Sequence, residues 1–137
     1  MATTFSNDVV RIFRDTDTIS AARTLTAADS GKTFWLDAAA GATVTLPALK
    51  DGVNFKFVVA DNFATTNWII DSAEGDNIEG MIEVAGAVVV ASGEDQINFV
   101  ASAEAKGDFV QIECNGTNWF VSGQAALSGG ITVTDPD

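Results

Sequence analysis

The chain has 137 residues, 47% hydrophobic and 19% charged, the balance of one folding domain rather than of a disordered chain. Seven basic against 19 acidic residues give a net charge of −12, which argues against DNA, RNA or an anionic membrane as partner, because each phosphate contact needs a local cation. There is no histidine, and Cys114 is the only cysteine, so His-based catalysis, His-ligated metals, internal disulfides and Cys-based zinc sites are excluded.

Residues 1–24 balance Arg11, Arg14 and Arg23 against Asp8, Asp15 and Asp17; residues 25–137 therefore carry the whole net charge. The start lacks a basic region followed by a sustained apolar one, so no secretory leader is expected. We read residues 1–24 as an N-terminal arm. Its stretch Phe5 to Phe13 sets Phe5, Val9, Val10, Ile12 and Phe13 around Arg11 and Arg14. Two readings stand: a first strand of the body, or a strand that adds to a partner's sheet edge through main-chain bonds.

Segments Ser20–Asp29 and Asp37–Ala40 could each hold a turn of helix; no long stretch keeps helical period. Gly31-Lys32-Thr33 has the end of a phosphate-binding loop, but Thr26 stands where that loop needs glycine, and a strand-like TFWL follows. Ala42, Val44 and Leu46 then alternate with threonines up to Pro47, which closes the strand. Val53, Phe55, Phe57 and Val59 alternate with Asn54 and Lys56. Both patterns predict strands with one face buried.

The run 71–80 is dense in oxygen ligands, and Asp71, Glu74, Asp76, Asn77 and Glu79 are the calcium candidates. Their spacing does not match the EF-hand loop. A solvated acidic turn, with Ile78 dipping into the core, is the preferred reading, and no metal or other cofactor is expected. Val84 to Ser92 is the longest uncharged apolar stretch, far short of a membrane span. Ile97, Phe99 and Ala101 alternate with Asn98, as do Val110, Ile112 and Cys114 with Gln111 and Glu113. This pattern makes Cys114 a buried small hydrophobe. Asn115-Gly116 predicts a two-residue hairpin turn into 117–122. The end, 128–137, reads as a Ser-Gly-Gly joint and a short β segment, Ile131–Thr134.

These elements predict an all-β fold: a single β-sandwich or jelly-roll-like domain of short antiparallel strands. Residues 1–24 form its extended arm, 25–127 its acidic body and 128–137 its C-terminal tail. No short motif singles out a carboxylate pair, and no enzyme activity is expected.

The runs SGKTFWLDAAAGATVTLPAL (30–49), GVNFKFVV (52–59), IIDSAEGDNIEG (69–80) and GDFVQIECNGTNWFVSG (107–123) occur in an order that resembles small β-domains of tailed-bacteriophage virions. Such domains occur in capsid decoration (cement) proteins and in head or tail fibre proteins, usually as trimers. The chain is short, with no long shaft or heptad segment, and leaves no room for a depolymerase module, which favours decoration. The resemblance implies a homotrimer on the outer capsid surface of a virion. It would be synthesised in the host bacterial cytoplasm, with the major capsid protein as partner and neither nucleic acid nor membrane bound. Its capsid-docking residues would be Phe5, Val9, Arg11, Ile12, Phe13 and Arg14. The alternative is a fibre or tail-associated adhesion module that binds a host glycan or receptor through exposed aromatics such as Trp35, Trp68 or Trp119.

Overall fold

A computed structural model describes residues 13–73, 75 and 77–136. Its first six strands are β1 (Thr16–Ile19), β2 (Arg23–Thr24), β3 (Thr33–Leu36), β4 (Thr43–Thr45), β5 (Asn54–Val59) and β6 (Trp68–Asp71). They alternate between two sheets. β1, β3 and β5 lie side by side and parallel in one, and β2, β4 and β6 do the same in the other. Each circuit of the chain thus adds one rung to each sheet. Register follows from this winding: Phe34 on β3 sits beside Phe57 on β5, and their rings stack with centroids 5.6 Å apart.

From β7 (Ile78–Val84) onward the strands mostly reverse on their neighbours. β8 (Ala87–Glu94), β9 (Gln96–Phe99), β10 (Phe109–Cys114), β11 (Trp119–Ala125) and β12 (Ile131–Thr134) complete the fold. The seven-stranded sheet runs β1-β3-β5-β10-β11-β7-β8, and the five-stranded sheet runs β12-β9-β6-β4-β2. Residues 16–71 therefore build one side of both sheets and residues 78–134 the other. The two sides meet at the antiparallel pairs β5–β10 and β6–β9.

Alternation places the core between the sheets. Phe34, Phe55, Phe57, Val110, Ile112 and Trp119 face inward from the larger sheet, and Val44, Trp68, Ile70, Ile97 and Phe99 from the smaller. Phe55 reaches Trp119 across β10, with centroids 6.1 Å apart. Cys114 is buried, as its alternation predicts.

The fold is all-β and sandwich-like, but among the described residues five of the ten strand pairings are parallel, not antiparallel. Period two reports which face a strand buries and says nothing of its direction. Crossing from sheet to sheet brings the chain back to its first sheet in the same sense.

Residues 16–24 belong to the body rather than to an arm. β1 pairs with β3 and buries Ile19, and β2 pairs with β4 just before buried Leu25. Arg23 fastens this corner. Its guanidinium donates to Asp17 at 2.7 Å and Asp29 at 3.2 Å, and lies 5.2 Å from the Phe34 ring centroid. The helical turn expected in Ser20–Asp29 is a single 3-10 turn, Ala27–Asp29, closed by Thr26 N–H donating to the Asp29 carboxylate at 3.0 Å. Asp37–Ala40 forms no helix. The C-terminal segment is also structural: β12 pairs with β9 and buries Ile131.

The predicted hairpin joins β10 to β11, but its turn lies one residue later than expected. Asn115 N–H donates to the Asn118 carbonyl, and the Asn115 side-chain oxygen accepts from Thr117 and Asn118 N–H, both at 2.9 Å. Asn115 thus acts as a side-chain acceptor, and Gly116 alone takes positive φ. A second two-residue turn, Ala85-Gly86, with positive φ at both residues, joins β7 to β8.

Candidate functional site

Three surfaces were candidates for chemistry or binding. At the acidic run, the described members of the calcium set are not gathered. Asp71, on β6 of the smaller sheet, accepts from Gln96 Nε2 at 2.9 Å. Asn77 is buried, with its side-chain oxygen accepting from Ser72 Oγ at 2.6 Å and its carbonyl from Trp119 N–H. Glu79 is half-buried on β7 of the larger sheet. Glu74 and Asp76 lie outside the described residues. Among the described residues, no group of three or more His, Cys, Asp or Glu side chains could hold a metal ion. Gly31-Lys32-Thr33 leads into strand β3, and Lys32 pairs with Asp29 at 3.3 Å.

The carboxylates with clearly displaced pKa values all ionise more readily than usual. Hydrogen bonding from Arg23 lowers Asp17, and backbone bonds from Thr26 and Asn62 lead the lowering of Asp29 and Asp61. For Glu104, burial opposes ionisation most strongly. The N–H groups of Glu104 itself, of the Asn62 side chain, and of Phe63 and Ser102 together outweigh it and hold the carboxyl below its ordinary range. Glu104 Oε1 accepts from Asn62 Nδ2 and Phe63 N–H, both at 3.1 Å. These groups are anionic anchors for loops. A general acid at neutral pH needs the opposite shift.

The second surface is a shallow groove of about 410 Å³ on the outer face of the larger sheet. It gathers three of the chain's seven cations, Arg14, Lys32 and Lys56, with Glu113 and Phe120. Lys56 Nζ lies 4.8 Å from the centroid of the Phe109 ring.

The third surface is the β7–β8 hairpin. β8 is the outermost strand of the larger sheet and, among the described residues, pairs in a ladder with β7 alone. Met81, Val88 and Val90 share its outer face in adjacent register and are 62%, 62% and 60% exposed. No charged residue occurs from Val84 to Gly93. Edge strands usually carry charge, proline or a bulge that discourages pairing with other chains. A bulge lies only at the Ile78/Glu79 end of this hairpin, away from these valines. The sequence marks this run as uncharged, but its place at the sheet edge is a product of the winding.

Of the docking residues expected in the leading segment, Phe5, Val9, Arg11 and Ile12 lie outside the described residues. Phe13 is 83% exposed, and Arg14 lines the groove. The structure separates the tryptophans. Trp68 and Trp119 are core residues, and only Trp35 reaches solvent.

Fold and surface together define a two-sheet all-β domain with an acidic body and an open apolar strand edge. No protein-family model, characterised protein or solved structure matches the chain.

Proposed function

We propose that this chain is a virion structural protein, without enzymatic activity, that decorates the outer surface of a bacteriophage capsid as a trimer and stabilises it by bridging neighbouring capsid subunits. The order of motifs along 30–123 supports this reading, and the observation that carries it is the division of the surface. An acidic body suited to staying apart from nucleic acid and from other particles carries one strand edge whose residues 87–93 are uncharged and suited to assembly. A packed genome pushes shell subunits apart. A protein that touches two or more of them loses contact when they separate, so its binding energy opposes expansion. Binding to the intact shell alone stabilises it by linkage, and linked copies add avidity.

Co-sedimentation of the purified full chain with DNA-filled heads tests the reading. Binding at saturating, symmetric copy number and a higher temperature of genome release are expected. Absence from heads, or density for the chain on the tail, would overturn it. One feature favours the alternative reading as an adhesion module: Trp35 is an exposed aromatic of the kind that stacks on sugars. Glycan binding that Trp35→Ala removes, with no affinity for heads, would establish that alternative.

A further inference from the structure

We propose that the open edge of β8 is filled by the leading segment, residues 1–12, of a neighbouring copy of this chain, and that this exchange closes the oligomer. Geometry excludes each copy's own segment. The segment enters β1 through Phe13 and Arg14, and β1 lies at the opposite edge of the larger sheet, six strand-to-strand steps from β8. At about 4.8 Å per step that is roughly 29 Å. Twelve extended residues span at most roughly 41 Å. Crossing its own sheet would consume about nine of them, leaving too few to pair along the eight residues of β8. A neighbouring copy is under no such limit.

The chemistry of the two partners fits. The edge offers Val88 and Val90 beside Met81, with Glu79 and Glu83 on β7 and Glu94 at the end of β8. The segment offers Val9, Val10 and Ile12, with Arg11 inside the run and Arg14 just beyond it. Apolar side chains meet apolar side chains, and cations from the near-neutral leading segment approach carboxylates on the strongly acidic body. A second β8 would satisfy the ladder but bring no cation. Each copy then donates from one edge and accepts at the other. Such head-to-tail contacts are heterologous and form a ring when the rotation closes. The choice of a three-membered ring rests on the function proposed above. The segment expected to dock on the shell is used here between copies.

The test measures mass in solution by light scattering on the full chain and on a chain lacking residues 2–12. A trimeric full chain and a truncated chain at one third of that mass, with unchanged far-ultraviolet circular dichroism, are expected. A second measurement reads exchange directly. In a Cys114→Ala background, chains carrying Val10→Cys are co-assembled with chains carrying Val88→Cys, Val90→Cys or Ser92→Cys and oxidised. A disulfide between the two kinds of chain is expected for at least one β8 position. Truncated chains that keep the full mass, or a full chain that is itself monomeric, would overturn the proposal. Loss of head binding by a truncated chain that stays oligomeric would also overturn it, assigning the segment to the shell and leaving the proposed function intact. An exchanged oligomer that never binds heads would sink the function alone.

Discussion

Glu104 gives the sharpest prediction about what holds the two sheets in place. It lies in the connection between β9 and β10, and its buried carboxylate takes bonds from Asn62 and Phe63 in the connection between β5 and β6. One anion thus ties two crossings that lie about forty positions apart in sequence. Hydrogen bonds to a charged group are worth about 1.5–3 kcal/mol each, and a buried N–H left without a partner costs about 1–3 kcal/mol. Glu104→Ala removes both bonds and strands the Phe63 N–H beside the buried Phe63 ring. We expect a loss of about 3 kcal/mol, or a melting midpoint lower by roughly 10 °C for a chain of this size. Glu104→Gln keeps an acceptor for Phe63 and loses only the charge, so it should fall between the two. The pH dependence follows from the direction of the shift. Because folding lowers the Glu104 pKa, its contribution is complete above the ordinary glutamate value of about 4.5 and is lost as pH falls through the lower folded value. Asp17, Asp29 and Asp61 act with the same sign. Urea titrations of the three proteins at pH 7, 4.5 and 3 make the comparison. Equal stability of Glu104→Ala and the parent at pH 7, or a gap between them that widens toward pH 3, would refute the reasoning.

Gly80 should tolerate no side chain. Its φ is +132°, and a Cβ there would lie 2.2 Å from the Val121 carbonyl oxygen on the neighbouring parallel strand β11. Gly80→Ala is expected to cost about 3 kcal/mol or more, read as a lower urea midpoint; a change under about 0.5 kcal/mol would show that β7 and β11 have room for a Cβ at this position. The tryptophans should divide as their burial does. Trp68→Ala is expected to lose about 3–5 kcal/mol, whereas Trp35→Ala, at a partly exposed strand position, should lose less, about 1–2 kcal/mol. In iodide titrations, the quenchable part of the fluorescence should disappear with Trp35.

What the sequence reveals depends on how much of a strand faces the core. β5 and β10 bury every second residue, and their alternation is plain in the residues. β1 buries only Ile19, so TDTI carries no alternation and reads as lead-in. β2 has two residues and no pattern at all. Strand direction left no mark, because parallel and antiparallel neighbours bury the same alternate positions. The apolar run of β8 was visible, but not its lack of a second partner, which depends on where the winding stops. Glu104 was one acid among 19, since its partners become neighbours only when the chain has crossed between sheets. The Asn115-Gly116 pair marks the hairpin to within one residue, and the offset arises because the Asn115 side chain closes the turn.

The winding also divides the molecule in a way that its outline hides. The strands up to Asp71 lie to one side of a seam through both sheets, and those from Ile78 onward to the other. Between β1 and β12 the chain crosses that seam once, in the short acidic link between β6 and β7. A protease that cut this link would therefore sever no strand, and the fragments would remain laced along β5–β10 and β6–β9 over a shared core. The part of the link between the buried Ser72 and Asn77 is thus the natural place to insert a peptide or open a new terminus, well away in the sheet order from the β1 edge where the leading segment departs.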